Sequence, residues 1–373
     1  MMTNIQSWSN DDKRDVIRYL LVNSYRSERL RLLYVSTPKV ACTKLKWWFA
    51  DLEGFAESIR KNTDNSIESS PDLVIHDSIQ KFAPLTEEDI CEALESDSFF
   101  IFSLVRNPYK RIFSAWQSKL LLQEPIQSKP YIDKDFFHHP VETADDVAHA
   151  FEAFLEYLAE NESPSFCDLH WTPQADLLRP DLIDYSCITK IEERENLTGR
   201  LRDWLGVRIP SPFEGNVLND SLIPYMPELI TQRSAELICS MYSHDFDVFC
   251  YDKQIPTGKE GLSSEQFDVA LKAVKHIRAR LQRFGERNEL IGRLNCTLVE
   301  RDRQIASLTQ AVSERDGQIA ALNQSLTERD TKIAALNTQI SGLLQSRSWR
   351  LTKPLRAVAG GMRSLRGAFK SDK

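Results

Sequence analysis

The amino-acid sequence predicts an α/β domain with a parallel central sheet, followed by a long coiled-coil helix. Up to about Tyr251, short apolar runs alternate with stretches of helical apolar spacing, as strands and helices alternate in α/β proteins. Residues 253–262 combine Pro, Gly and charged side chains, a composition typical of a linker. Beyond them, apolar residues recur every seven positions, which is the repeat of a coiled coil. We therefore divide the chain into a domain (1–252), a linker (253–262), a helical region (263–345) and a tail (346–373).

Strands and helices of the first domain follow from its apolar runs. The runs 31–36 and 99–105 are short and mostly apolar, as buried parallel strands are. The segment 182–188 predicts a further strand. Apolar residues fall on one face of a helix in 44–53, directly after the first run, and in 147–158.

The helical region carries a heptad pattern. Mostly β-branched residues occupy one core position and Leu the other, a combination that favours a parallel two-stranded coil. Arg301, Arg315 and Arg329 take alternate Leu positions, where their long stems can lie along the seam while the guanidinium reaches water. The first core position is filled by Ile291, Leu298, Ile305, Val312, Ile319, Leu326, Ile333 and Ile340, and the second by Leu294, Leu308, Leu322, Leu336 and Leu343.

The net charge of −7 over 373 residues is unevenly distributed. The tail 346–373 contains eight Lys or Arg and one acid, so it carries +7 and the rest of the chain −14. Such an acidic body excludes nucleic acid as the expected partner. In the tail, basic residues surround an apolar stripe with helical spacing. The stripe consists of Leu351, Leu355, Val358, Met362, Leu365 and Phe369. This pattern predicts an amphipathic helix that binds an anionic membrane surface, with docking to a partner protein as the alternative.

Cellular location is predicted from what the sequence lacks. No run approaches the roughly 20 apolar residues of a membrane span, and the first residues lack a secretory-signal pattern. The seven cysteines are scattered and form no C-x-x-C pair, so neither a disulfide framework nor a metal site is expected. We expect a cytoplasmic protein that lies at the inner face of the membrane.

Residues 37–44, after the first strand, are the first candidate site. A strand that turns tightly into a helix presents backbone N–H groups at the positive end of the helix dipole, where phosphate or sulfate binds. Lys39 adds a cation and Thr43 a hydroxyl, while the small Ala41 lets an anion approach the backbone. The alternative is a surface lysine beside a capping threonine. The candidate residues for binding this phosphate or sulfate are Pro38, Lys39, Val40, Ala41, Cys42, Thr43 and Lys44.

A second candidate anion site follows the run 99–105. Arg106 stands at the carboxyl end of that strand, where open α/β sheets bind ligands. Arg111 and Ser114 are three residues apart and share a helical face. Together these residues offer planar donors and a hydroxyl to a second phosphate. Pairing with surface carboxylates is the alternative, more plausible for Arg111 than for Arg106.

These motifs resemble those of the PAPS-dependent carbohydrate sulfotransferases, in the branch that contains chondroitin and HNK-1 sulfotransferases (PAPS is 3′-phosphoadenosine-5′-phosphosulfate). The family shares the loop Pro-Lys-Val-Ala-Cys-Thr, here 38–43, and the segment Arg-x-Pro-x-x-Arg-x-x-Ser-Ala, here 106–115. The resemblance spans about residues 30–251. It continues through His76, the HWTPQ segment 170–174, KIE at 190–192 and the aromatic-acidic stretch 242–251.

The resemblance implies a P-loop-like, three-layer sulfotransferase fold and PAPS as co-substrate. Lys39 and Thr43 would hold the phosphosulfate, and Arg106 and Ser114 the 3′-phosphate. Secretory relatives carry a membrane anchor and paired cysteines after the His-Trp motif, where this chain reads Leu-Arg-Pro-Asp at 178–181. Both differences favour a cytoplasmic, bacterial relative.

Sulfuryl transfer needs a cation for the leaving oxygen and a base for the acceptor hydroxyl. Lys39 is the expected cation, and no metal is expected. The catalytic base is expected to be His76, with His170 as the alternative, because histidine has a suitable pKa. Residues 73–75, directly before His76, are expected to end a strand beside the loop. Trp171 is expected to pack rather than to stack on a sugar.

The sequence therefore predicts an enzyme that sulfates a carbohydrate hydroxyl, in a bacterial surface or extracellular glycan. Sulfation of a lipid or small molecule is one alternative. A coiled-coil scaffold of glycan synthesis with a dormant PAPS fold is another. The heptads predict a parallel homodimer.

Overall fold

In the computed structural model, the described residues are 3–61, 74–161, 168–206, 209–214, 221–258 and 261–368. The chain forms two compact units, residues Met1–Asn288 and Glu289–Lys373. The two units are described separately below.

Four strands of the described residues form one sheet in the order β1-β2-β3-β4. They are Ser24–Ser27 (β1), Leu32–Val35 (β2), Phe100–Val105 (β3) and Cys187–Lys190 (β4). β2, β3 and β4 are parallel, whereas β1 pairs antiparallel with β2 at the edge. Every residue of β2 and β3 is buried, which explains their continuous apolar sequence. The structure thus confirms a mixed α/β domain, and the antiparallel strand β1 is an addition to the sequence prediction.

Helices connect the strands and cover both faces of the sheet. In chain order they are α1 (Asn10–Asn23), α2 (Cys42–Leu52), α3 (Ala56–Lys61), α4 (Ile75–Phe82), α5 (Glu87–Glu95), α6 (Pro108–Trp116), α7 (Pro125–Ser128), α8 (Ala144–Asn161), α9 (Gln174–Leu178), α10 (Arg194–Leu205), α11 (Gln232–Met241), α12 (Ser243–Val248), α13 (Ser264–Gln345), α14 (Arg347–Leu351) and α15 (Lys353–Ala368).

Alternate side chains of β2 and β3 enter different cores because a strand turns successive residues to opposite faces. Tyr34 and Phe102 stack with ring centroids 5.2 Å apart in the core shared with α2, α4 and α10. Leu33 and Ile101 face the other side, against α1, α5 and α9. Helices on both faces of the sheet are the arrangement that a parallel sheet requires.

A third core lies among α6, α8, α11 and the first turns of α13. Phe113 and Phe151 meet edge to face there, with centroids 5.2 Å apart. Phe267 and Leu271 of α13 are buried in the same core. The first compact unit therefore continues into α13, as far as Asn288.

In the second unit, α13 continues as an extended helix, followed by α14 and α15. Helix α13 is 82 residues long. The apolar residues at the two heptad core positions are 48% to 66% exposed in the single chain. Of the helices in the described residues, none combines the length and apolar content that a membrane crossing needs.

Two local predictions differ from the structure. Residues 73–75 were expected to end a strand; Leu73 lies outside the described residues, and the helix α4 begins at Ile75. Its buried residues Ile75 and Ile79 are four apart, a spacing that a short apolar run does not reveal. The strand expected at 182–188 begins only at Cys187, because the N–H groups of Leu182 and Ile183 turn back to the carbonyl of Arg179.

Candidate active site

The donor loop, residues 36–41, joins the carboxyl end of β2 to α2. Lys39 and Ala41 adopt left-handed backbone conformations, with φ of 68° and 53°. Such conformations are costly for residues with a Cβ and cluster at functional sites. Ala41 precedes α2 and has no side-chain oxygen to cap it. The backbone N–H groups in the first turn of α2 can therefore donate to an acceptor from outside the helix, such as an anion.

Lys39 is a partly buried cation that faces other cations. Its Nζ donates to Oγ of Ser118 at 2.8 Å. Burial lowers the pKa of Lys39 to about 8; Cys42 raises this pKa, while Lys119, Arg106 and Arg111 lower it. A lysine held among positive charges is stabilised when an anion binds beside it.

Arg106 and Asn107 follow β3, at the same sheet edge as the donor loop because β2 and β3 are parallel. Nη1 of Arg106 donates to the carbonyl of Lys39 at 3.3 Å, which joins the two anion-site segments. Asn107 accepts from the N–H of Tyr109 and so caps α6. Its own N–H donates to Glu192, which follows β4, at 3.2 Å. The KIE motif thus supports the backbone beside Arg106.

Ser114 and Ser118 lie along α6 and the π-helical turn Gln117–Leu121 that follows it. Oγ of Ser114 lies 3.4 Å from Oγ of Ser221. The wider π turn offsets Ser118 and Lys119 from the regular helical spacing, and such turns recur at functional sites. Within this turn, Oγ of Ser118 accepts the hydrogen bond of Lys39.

Arg111 is 1% exposed and connects two loops. Its guanidinium donates to the carbonyls of Pro38 at 3.1 Å, Thr172 at 2.7 Å and Leu169 at 3.0 Å. Burial lowers its pKa, and the nearby carboxylate of Asp245 raises it. This geometry favours a positioning role, and phosphate binding by Arg111 stays a prediction.

The HWTPQ segment, residues 170–174, is held in place by Asp245 of the aromatic-acidic stretch 242–251. The fully buried carboxylate of Asp245 accepts from the N–H groups of Gln174 at 2.9 Å and Ala175 at 2.7 Å, and from the side-chain amide of Gln174 at 3.1 Å. Gln174 in turn exchanges two hydrogen bonds with the backbone of Arg106, both of 2.9 Å. Trp171 is fully buried against Tyr131, which agrees with the expected packing role.

His76 bridges two side chains of α2. Its Nε2 lies 2.9 Å from Oγ1 of Thr43, and its Nδ1 lies 2.9 Å from Nζ of Lys46. Burial first, and then the charge of Lys46, lower the pKa of His76 to about 3. His76 is therefore neutral at physiological pH.

His170 is paired with Asp168. Its Nδ1 lies 2.6 Å from Oδ1 of Asp168, and the same oxygen accepts the backbone N–H of His170 at 2.8 Å. Burial lowers the pKa of His170, Asp168 raises it, and Lys119 and Lys39 lower it. The two histidines lie close enough for the charge of His170 to lower the pKa of His76 as well.

The structure brings most predicted site residues to one edge of the sheet. Val40 packs in the core beneath the donor loop, and Ala41 lies against the same core. Lys44 lies near Arg194, and its pKa is lowered by burial and by the charge of that arginine. Lys46, Ser118, Lys119 and Asp168 belong to the site but were not predicted from the sequence. For Lys46 a signal was present, because it lies three residues after Thr43 on the same face of α2. Within the described part of the chain, no His, Cys, Asp and Glu side chains are grouped as a metal site.

The comparison with known families decides the classification of this domain. A family model described as "Sulfotransferase family" matches residues 23–252, more than half of the chain. The chain belongs to the sulfotransferase family. The match includes the donor loop, Arg106, His76, His170 and the aromatic-acidic stretch 242–251. No solved structure is significantly similar to this sulfotransferase.

Curated relatives of this sulfotransferase include animal enzymes. Mouse carbohydrate sulfotransferase 14 is 26% identical and its human counterpart 29% identical, each over 64% of this chain and 61% of the relative. Zebrafish carbohydrate sulfotransferase 10 is 24% identical over 64% of this chain and 68% of the relative. The chain thus spans about three fifths of the length of the first two relatives.

Proposed function

We propose that this sulfotransferase moves the sulfuryl group of PAPS to a carbohydrate hydroxyl. The observation that carries the proposal is the pair of cationic groups at the ends of β2 and β3. Among the described residues, Lys39 forms no ion pair with a carboxylate, and its hydrogen-bond partner is the neutral Ser118. The second cationic group is Arg106, which donates to the carbonyl of Lys39. Together, Lys39 and Arg106 fit a donor with phosphates at both ends of a nucleoside.

The donor loop has the features that a phosphosulfate requires. Left-handed residues beside the start of α2, the hydroxyl of Thr43 and the cation of Lys39 all offer donors to an anion. Arg106 and Ser114 would hold the 3′-phosphate. Lys39 would stabilise the negative charge that develops on the leaving oxygen, a contribution that grows in the transition state.

The acceptor proposed here is a glycan. The names of the curated relatives, carbohydrate sulfotransferases 14 and 10, support this class. The tail resembles those of bacterial surface-polysaccharide enzymes, through its string Ser-Trp-Arg-x-Thr-x-Pro-Leu-Arg at 348–356. We therefore propose a bacterial surface or extracellular glycan, sulfated at the cytoplasmic face of the membrane.

The second unit would bring two enzymes to that membrane. The exposed heptad positions of α13 form an apolar seam that a second, parallel copy would bury. In α15, the exposed Leu355 and Val358 lie on the stripe that would enter the lipid surface. Two basic tails side by side bind an anionic surface far more strongly than one.

Titration calorimetry with PAP, the desulfated donor, tests the donor assignment. Wild-type protein should bind PAP with micromolar or better affinity. Arg106→Ala should weaken binding by about 1.5–3 kcal/mol, the value of a hydrogen bond to a charged group. The matched control is Arg233→Ala, which removes an arginine whose side chain is 55% exposed. Equal PAP affinity in the Arg106 variant and the wild type would remove the 3′-phosphate assignment.

Transfer of labelled sulfate from PAPS to a panel of free and lipid-linked glycans tests the acceptor class. Lipids without sugar and small phenols serve as competing acceptors. Label in the glycans supports the proposal. Label only in the lipid or phenol would replace the carbohydrate assignment, and PAP binding without any transfer would favour the dormant scaffold.

A further inference from the structure

We infer that His170, oriented by Asp168, is the base that takes the proton of the acceptor hydroxyl, whereas His76 positions Thr43 of the donor loop. This inference rests on the proposed function. It assigns different tasks to the two histidines and reverses the order of the sequence prediction, in which His76 was the first candidate for the base.

His170 has the tautomer that a base needs. A carboxylate only accepts hydrogen bonds, so the 2.6 Å contact with Asp168 places the proton of the ring on Nδ1. The lone pair is then on Nε2, to which no hydrogen bond is formed by the described residues. The side chain of His170 is 23% exposed, so a substrate can reach it.

His76 has the opposite tautomer. The ammonium of Lys46 only donates, so Nδ1 of His76 must accept and the proton lies on Nε2. Nε2–H then donates to Oγ1 of Thr43, which leaves no lone pair on His76 for a substrate. The hydroxyl of Thr43 keeps its own proton to donate to an anion in the donor loop.

Lys46 is itself held in place, which keeps His76 in this tautomer. It is 8% exposed, and its Nζ lies 5.4 Å from the centroid of the Tyr25 ring. The cation is stabilised by the face of that ring. His76 is therefore part of the support of the donor loop rather than of the acceptor side.

Arg111 fixes His170 relative to the donor. Its guanidinium bonds to the carbonyls of Leu169 and Thr172, on either side of His170, and to that of Pro38, next to Lys39. The base and the leaving-group cation are thus attached to one buried group. The lowered pKa of His170 keeps its imidazole neutral, and so able to accept a proton, at physiological pH.

The step balances as an in-line displacement. The O–H bond of the acceptor breaks and its proton goes to Nε2 of His170. The acceptor oxygen forms a bond to sulfur, and the bond from sulfur to the phosphate oxygen breaks. That oxygen leaves with the electron pair as part of PAP, beside Lys39.

Solid-state NMR of the full chain with ¹⁵N-labelled histidine tests the two tautomers without any substrate. Variants His170→Gln and His76→Gln assign the signals. We expect the proton of His170 on Nδ1 and that of His76 on Nε2. His244, whose Nδ1 lies 3.4 Å from Asp176, is a more exposed histidine–carboxylate pair for reference. A proton on Nε2 of neutral His170, or a lone pair on Nε2 of His76, overturns the inference.

Kinetics with the sulfated acceptor tests the roles. His170→Gln should lower turnover at least ~100-fold and leave PAP affinity within ~3-fold, as expected for a lost base. His76→Gln should weaken PAP binding by ~10-fold and retain more turnover than His170→Gln. The reverse ranking of turnover overturns the assignment. If PAP does not bind the wild type, the proposed function fails, while the NMR result still decides the tautomers.

Asp168→Asn tests whether Asp168 acts through His170. The charged or titratable groups around His170 include Asp168, Lys119, Lys39, His76 and the guanidinium of Arg111. Because the Asp168 carboxylate raises the pKa of His170, its loss should move the acid limb of the turnover profile to lower pH. A purely structural role would reduce activity without moving that limb. An unmoved limb therefore contradicts the positioning role of Asp168.

Discussion

Replacement of Arg111 by Met should destabilise the first compact unit strongly. Met has a similar length but leaves the carbonyls of Pro38, Leu169 and Thr172 without the donor that now satisfies them. Each unsatisfied buried polar group costs about 1–3 kcal/mol. The buried Asp245 also loses the nearby positive charge. Removal of the buried guanidinium offsets part of this cost, so we expect a net loss of about 3–5 kcal/mol.

Urea denaturation, followed by the fluorescence of buried tryptophans such as Trp116 and Trp171, measures this loss. Arg233→Met, at an exposed ion pair with Glu156, is the matched control and should change the free energy of unfolding by less than about 0.5 kcal/mol. Arg111→Lys keeps the charge beside Asp245, but one ammonium cannot span three carbonyls. It should fall between the Met variant and the wild type. A free energy of unfolding within about 1 kcal/mol of the wild type for Arg111→Met would refute the positioning role.

Three further predictions concern the donor, its pH dependence and assembly. Lys39→Ala should lower turnover by roughly 100-fold while PAP affinity falls less; a steady-state assay paired with calorimetry checks this, and equal losses in both contradict the leaving-group role. Because the pKa of Lys39 is lowered to about 8, its charge is lost as pH rises through that value. PAP affinity should therefore fall above pH 8 in the wild type but stay level in Lys39→Arg, and parallel profiles would exclude Lys39 as the titrating group. The full chain should be a dimer by light scattering, and it should bind anionic liposomes less tightly as the salt concentration rises. Truncation after Leu344 should leave the dimer intact and abolish liposome binding. A monomeric full chain, or liposome binding by the truncated chain, contradicts this arrangement.

Local sequence patterns predicted the strands on which the proposed donor site is built. The strands β2 and β3 were found because both of their faces are buried, so each reads as a mostly apolar run. The loop after β2 and Arg106 after β3 follow from those strands, since parallel strands end at the same sheet edge. Of the strand expected before His76, Ile75 instead begins helix α4, because a short apolar run fits either structure.

What the sequence by itself determined is the α/β domain, the position of its two candidate anion-binding segments and the heptad repeat, because each depends on residues that are close along the chain. Only the tertiary structure distinguished His76 from His170. Their difference lies in which neighbour each ring meets, the ammonium of Lys46 or the carboxylate of Asp168. The hydrogen bonds of the buried Arg111 to loops about 60 to 75 residues away could not be predicted from the sequence either. Hydrogen-bond partners of this kind are set by the packing of distant elements, and no periodicity in the sequence records them.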